Sequence, residues 1–150
     1  MTVLAAVTIA ALLSVESPES PPDVYWIDRS SRLMWAAKDN GHGVDWDHAK
    51  AFCTDLRTAG FQDWRLPDIK ELEGLYDPSS EKEYKIAAPM QLTGCCPWSS
   101  TTEQFQGREW VKFFSFQHGA QGAQPRGTFG SGSYRALCVR LFEGNSDDDR

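Results

Sequence analysis

Gly60-Phe-Gln-Asp-Trp-Arg-Leu-Pro-Asp-Ile-Lys-Glu-Leu72 is the stretch on which the reading of this chain turns. Its second half opens a helix. Asp68 stands where an N-cap belongs, and Glu71 three residues later completes a capping box with Asp in place of Ser or Thr. Ile69, Leu72, Leu75 and Tyr76 supply the apolar face, and Asp77-Pro78 stops the helix. The first half reads as a fixed connection. Trp64 and Leu66 suit a core, and Pro67 precedes the cap. Arg65 carries donors for carbonyls or for a carboxylate such as Glu71. The block looks like a catalytic motif, but a structural role for Trp64, Arg65, Pro67 and Glu71 is the simpler expectation.

Upstream, the spacing of Ala49, Phe52, Cys53 and Leu56 predicts a helix from about Trp46 to Ala59, with Asp45 as N-cap and Gly60 just past its end. Before it, Tyr25-Trp-Ile-Asp28 and Leu33-Met-Trp-Ala36 flank a polar Arg-Ser-Ser-Arg turn and read as a β-hairpin. Downstream, the chain is irregular from residue 79 to Trp98-Ser-Ser-Thr101. Glu109–Phe116 and Tyr134–Phe142 then have strand composition. Between them residues 117–133, rich in Gly and Gln, show no period and are expected to form a long loop.

The 150 residues allow one ordinary domain, and six Trp with eight Phe give it enough ring area for a compact core. The net charge of −6 and the lack of a basic run argue against nucleic acid, whose affinity comes from cations on phosphates. Residues 1–17 carry a thirteen-residue apolar run, Val3 to Val15, too short to span a bilayer. They read as a signal peptide, although no Lys or Arg precedes the run. Residues 18–22 follow as a Pro-rich linker, 23–142 as the domain, and 143–150 as a disordered acidic tail. Four cysteines suit an exported destination, so the chain is expected to be secreted, periplasmic or on the cell surface, with no membrane insertion after signal cleavage.

No nucleophile elbow, phosphate loop or dinucleotide fingerprint occurs, so no catalytic residue is assigned. The hydroxyl run Ser99 to Thr102 has no His or Asp placed beside it by sequence. His42, His48 and His118 are scattered and are expected to be solvated or locally hydrogen-bonded; no metal and no cofactor is expected. Asp45 and Asp47 around Trp46 read as helix capping, with calcium the remote alternative.

Six blocks in order carry a resemblance: Trp26-Ile-Asp to Leu33-Met-Trp35; Trp46 to Ala49-Lys-Ala-Phe-Cys53; the Gly60–Leu72 stretch; Trp98-Ser-Ser-Thr101; Trp110-Val-Lys-Phe113; and Arg135-Ala-Leu-Cys-Val-Arg140. Over about residues 25–141 the chain resembles the Lcl C-terminal domain family, named for the Legionella collagen-like protein. The resemblance implies an α+β, C-type-lectin-like fold, with two helices packed on small antiparallel sheets and long irregular loops. It also implies an extracellular domain of the kind found in adhesins. The name-giving adhesin is associated with sulfated glycans, which suit an acidic chain poorly. The calcium–sugar signatures of C-type lectins are absent.

Such folds bridge an early helix to the last strand, which makes Cys53 and Cys138 the best disulfide candidates. Cys95 and Cys96 are then left with three readings: a vicinal bridge, free or differently paired thiols, or a redox or metal role. The copper-holding cysteine spacing of formylglycine-generating enzymes is not present. In the family fold the loops before the last strand form the binding face. That places Arg108, His118, Gln121, Gln124, Arg126, Phe129 and Tyr134 as ligand contacts. The expected function is a non-catalytic, adhesin-like module binding a glycan or surface protein. The alternatives are a structural or assembly module of an envelope protein, including a homo-oligomer, and an oxidase of the formylglycine-generating kind.

Overall fold

Leu33-Met-Trp-Ala36 is buried at all four positions, so its strand has no solvent face. A period of two then sends alternate side chains into two separate cores. Met34 and Ala36 enter one, with Trp46, Ala49, Cys53, Trp64, Trp98, Val111 and Tyr134. Leu33 and Trp35 enter the other, with Ile69, Leu72, Leu75, Ile86, Met90, Phe114 and Phe116. The computed structural model describes residues 24–129 and 132–144. The expected leader, the linker and all but the first two residues of the tail lie outside the described residues.

In chain order the elements are β1 (Tyr25–Asp28), β2 (Leu33–Ala36), α1 (Trp46–Asp55), a 3₁₀ turn (Thr58–Gly60), α2 (Ile69–Glu73), β3 (Cys96–Phe105), β4 (Arg108–Ser115), β5 (Ala120–Pro125), β6 (Tyr134–Arg135) and β7 (Val139–Leu141). They make an α+β fold with two sheets, β1-β2-β7 and β5-β4-β3-β6. The first sheet is antiparallel throughout. In the second, β3 and β6 pair in parallel, so the expectation of antiparallel sheets alone does not hold there. No helix among the described residues is long and apolar enough to cross a membrane.

The β1–β2 hairpin forms with Asp28 opposite Leu33, and the Asp28 carboxylate closes the turn by accepting from Ser30 and Ser31. Helix α1 stops four residues earlier than its apolar spacing suggests. Leu56 turns extended and its N–H returns to the Cys53 carbonyl, while the Arg57 guanidinium takes the Thr54 and Leu56 carbonyls. Its buried stripe is narrow: Trp46, Ala49 and Cys53 face inward, but Phe52 is 37% exposed. Helix α2 also ends early, at Glu73, yet Leu75 remains in the core through the turn that follows.

The loop expected over 117–133 is corrected: β5 runs through it, pairing Trp110–Ser115 of β4 with Ala120–Pro125. Gly122 is required there, because a Cβ would run into the Phe113 ring. The single strand expected over Tyr134–Phe142 is also corrected. It divides into β6 and β7, which belong to different sheets.

The Gly60–Leu72 stretch does what its residue types suggest. Arg65 pairs its backbone with Val139, and its guanidinium meets Glu71 through two bonds of 2.7 and 3.0 Å. Asp68 and Glu71 cap each other reciprocally. Trp64 is buried and donates to the Thr58 carbonyl, while the Pro67 carbonyl accepts from Ser100 and Thr101 Oγ1 accepts from Ile69. The hydroxyl run is thus partly consumed in joining α2 to β3.

Cys53 and Cys138 are bonded across 85 residues, with their Cα atoms 5.4 Å apart. A loop of that length corresponds to about 4.6 kcal/mol of chain entropy. The Cys53→Ser/Cys138→Ser double variant is expected to lose most of that in urea unfolding at matched pH; a loss below about 1 kcal/mol would show that the bridge is incidental.

Burial pushes the Glu71 carboxyl up, but the bonds from Arg65 and the Asp68 N–H, with the guanidinium charge, outweigh it and hold the group below its ordinary 4.5. A depressed folded value contributes stability above the unfolded value, and that contribution is lost as pH falls through the folded one. Stability should therefore decline as pH falls below 4.5. Glu71→Gln should be less stable near neutrality and show a shallower acid decline. Urea midpoints measured from about pH 7 to about pH 3 check this; parallel curves for the two proteins would refute it.

Candidate ligand-binding pocket

Among the surface pockets built by the described residues are three of about 320 to 370 Å³. One lies along Lys82–Leu92. Another lies between β2 and α2, but its rim acids Asp28, Asp68 and Glu71 already serve the hairpin turn and the capping box. The third, of about 350 Å³, is lined by Asn40, His42, Gly43, Val44, Asp45, His48, Phe52 and Phe129. That size falls within the usual range for small-ligand sites. It also has aromatic walls, since Phe52 is 37% and Phe129 66% exposed.

Local chemistry fixes this pocket. Asn40 N–H donates to the Ala136 carbonyl and its Oδ1 accepts from the Ala136 N–H, while its Nδ2 reaches the His42 carbonyl. Val44 N–H donates to the Tyr134 carbonyl. Gly43 lies against the backbone of Gly132, so any side chain at 43 would collide with it. Asp45 caps α1 by accepting from His48 N–H at 2.8 Å, and the same carboxylate holds the His48 ring Nδ1 at 2.7 Å. Burial raises the Asp45 carboxyl, but the two contacts from His48 outweigh it and leave the group below its ordinary value. With Nδ1 engaged by the carboxylate, Nε2 is the ring nitrogen of His48 left to meet a ligand.

The residues expected as ligand contacts are dispersed by the structure. Phe129 lines the pocket, and Arg108 opens β4 as an exposed residue beside Phe105. His118 sits in the β4–β5 turn, and Gln121 donates to Glu73 of α2. Gln124 donates to the Tyr134 hydroxyl. Tyr134 itself is a core residue, 9% exposed and stacked on Trp98 with ring centres 4.3 Å apart.

Arg126 was expected in a free loop. Instead it directly follows β5, in ion pairs with Asp47 at 2.8 Å and Glu109 at 3.1 Å, and its guanidinium lies 4.9 Å above the Trp46 ring. Those carboxylates, Asp47 foremost, hold its proton more firmly than usual. The pocket residues Asn40, His42, His48 and Phe52 were not selected from sequence. The available signal was Asp45, His48 and Phe52 at spacings of three and four on one helix, a spacing that also fits a buried stripe.

The fold and the pocket define a disulfide-stapled α+β domain that carries an open, aromatic-walled recess at the start of its first helix. Residues 25–140 match the Lcl C-terminal domain, and the chain belongs to that family. No curated protein and no solved structure matches it.

Arg126→Ala should lower the melting temperature, and by more in low salt than in high, because screening weakens partly exposed ion pairs. Thermal scans at two salt concentrations check this. Unchanged melting at both would show that Arg126 does not tie β5 to α1.

Proposed function

We propose that this chain is a secreted or surface-exposed recognition module on C-type-lectin-like lines, adhesin-like and non-catalytic, which binds a glycan in the pocket walled by Phe52 and Phe129. The exposure of those two rings around one recess carries the reading. The two cores are filled without them, and apolar rings left in water beside a pocket are characteristic of binding sites. Flat rings take the apolar face of a sugar, while His48 Nε2 and the amide and imidazole edges of Asn40 and His42 suit its hydroxyls. The Asp45 carboxylate beneath them and the net charge of −6 favour a neutral saccharide over a sulfated one.

An array of neutral and sulfated glycans together with surface proteins, probed with the purified protein, tests this. A neutral-glycan hit should weaken by about tenfold or more in Phe129→Ala and Phe52→Ala, about 1.4 kcal/mol each, with melting temperature unchanged. Binding only to proteins, or glycan binding indifferent to both substitutions, would overturn the proposal.

A further inference from the structure

Cys95 and Cys96 are bonded to each other, with Cα atoms 3.7 Å apart. Ordinary disulfides hold their Cα atoms about 4.4–6.8 Å apart, so here the bond closes a small ring through a single peptide unit and fixes the torsions of that unit. Access separates the two bridges of this domain. Cys53 is 0% and Cys138 1% exposed, whereas Cys95 is partly exposed beside the buried Cys96. Exchange requires a thiolate to reach a sulfur, so the bridge with one residue partly at the surface is the more accessible of the two, and the inner one is shielded.

The constrained peptide is also a joint. The Cys95 carbonyl accepts from Phe116 N–H at 2.9 Å. Cys96 and Pro97 provide the whole pairing surface of the two-residue strand β6, opposite Tyr134 and Arg135. Gly94 packs so closely on the Ser133 carbonyl and the Arg135 guanidinium that a Cβ would not fit. Arg135 in turn donates to Thr93 Oγ1 at 2.8 Å, to the Thr93 carbonyl at 3.0 Å and to the Gly132 carbonyl at 2.6 Å. Residues 93–97 and 132–135 are therefore interlocked around one covalent ring.

We infer that Cys95 is a site of thiol–disulfide exchange, and that opening its bond to Cys96 loosens the β3–β6 joint while the Cys53–Cys138 bridge stays closed. The co-reactant is a small thiol or dithiol. Its thiolate attacks Cys95 Sγ, the Cys95–Cys96 bond breaks, and the electron pair leaves on Cys96 Sγ, which takes a proton from water. A mixed disulfide remains on Cys95. A second thiolate attacks the outer sulfur of that mixed disulfide, releases the oxidised reductant, and leaves Cys95 as a thiol once protonated. The protein gains two electrons and two protons, and two thiols become one disulfide. The joint is independent of the glycan reading, so failure of either leaves the other standing.

The test is titration of the native protein with dithiothreitol, followed by alkylation and peptide mapping. Near-UV circular dichroism of the Trp98–Tyr134 stack and amide exchange at Tyr134 and Arg135 are read in parallel. Cys95 and Cys96 should be alkylated at dithiothreitol concentrations about tenfold or more below those needed for Cys53 and Cys138. The ring signal should change and the two amides should lose protection at that same step. The Cys95→Ser/Cys96→Ser variant should reproduce the reduced spectrum without reductant. Alkylation of Cys53 and Cys138 at the same or lower concentration would overturn the inference. So would an opened Cys95–Cys96 bond with unchanged ring signal and exchange.

Discussion

Residues 134–139 are held by a different part of the chain at almost every step, and the rest of the molecule is organised around that segment. The Tyr134 carbonyl accepts from Val44, and the Ala136 carbonyl from Asn40. Cys138 is fixed twice, by its sulfur to Cys53 of α1 and by its carbonyl to Ala36 of β2. Val139 exchanges both backbone bonds with Arg65. Six residues thus join both sheets, α1 and the connection into α2. A buried backbone needs its polar groups paired, and here four non-local partners, Val44, Asn40, Ala36 and Arg65, take part in that pairing in place of one regular ladder. This explains why the segment divides into two short strands. It cannot follow either sheet for long without abandoning a partner in the other. The disulfide acts on this same segment, closing an 85-residue excursion onto Cys138, which lies between β6 of one sheet and β7 of the other.

What was legible in the sequence was local. The hairpin could be read because Asp28 and two serines make its turn from neighbouring residues, and α2 because Asp68 and Glu71 cap each other across three positions. Strand β5 was not legible. Ala120-Gln-Gly-Ala-Gln-Pro125 has little intrinsic preference for extended structure and takes it from pairing with β4, where a glycine makes room for the Phe113 ring. Strand propensity is mostly a property of such neighbours. The end of α1 was misplaced for a related reason: Leu56 keeps the helical apolar spacing, yet its own N–H turns back to Cys53 and ends the helix.

The site was half-legible. Phe129 could be taken as a contact residue because nothing in its polar, Gly-rich surroundings offered it a core. Phe52 could not, since four apolar residues at helical spacing do not reveal how wide the buried stripe is. Here the Cys53 bridge fixes the rotation of the helix and leaves Phe52 at its margin. The structural roles of Arg126 and Tyr134 are hidden in the sequence because their partners lie far off along the chain. Arg126 and Asp47 are 79 positions apart, and the Tyr134 ring stacks on Trp98.

Phe129 stands between two anchors of different kinds. On one side Arg126 spreads over Trp46 and pairs with Asp47 and Glu109, ionic contacts that salt weakens. On the other, Arg135 holds the Gly132 carbonyl and is itself locked to Thr93 beside the Cys95–Cys96 ring, a contact set largely shielded from ions. A binding ring on a chain segment costs ordering entropy on every encounter unless both ends are already fixed. Here both ends are fixed by groups that never touch the pocket. Gly43 admits no side chain, because a Cβ there would run into the Gly132 backbone, while Gly132 itself holds a φ of +80°, the left-handed region that favours glycine.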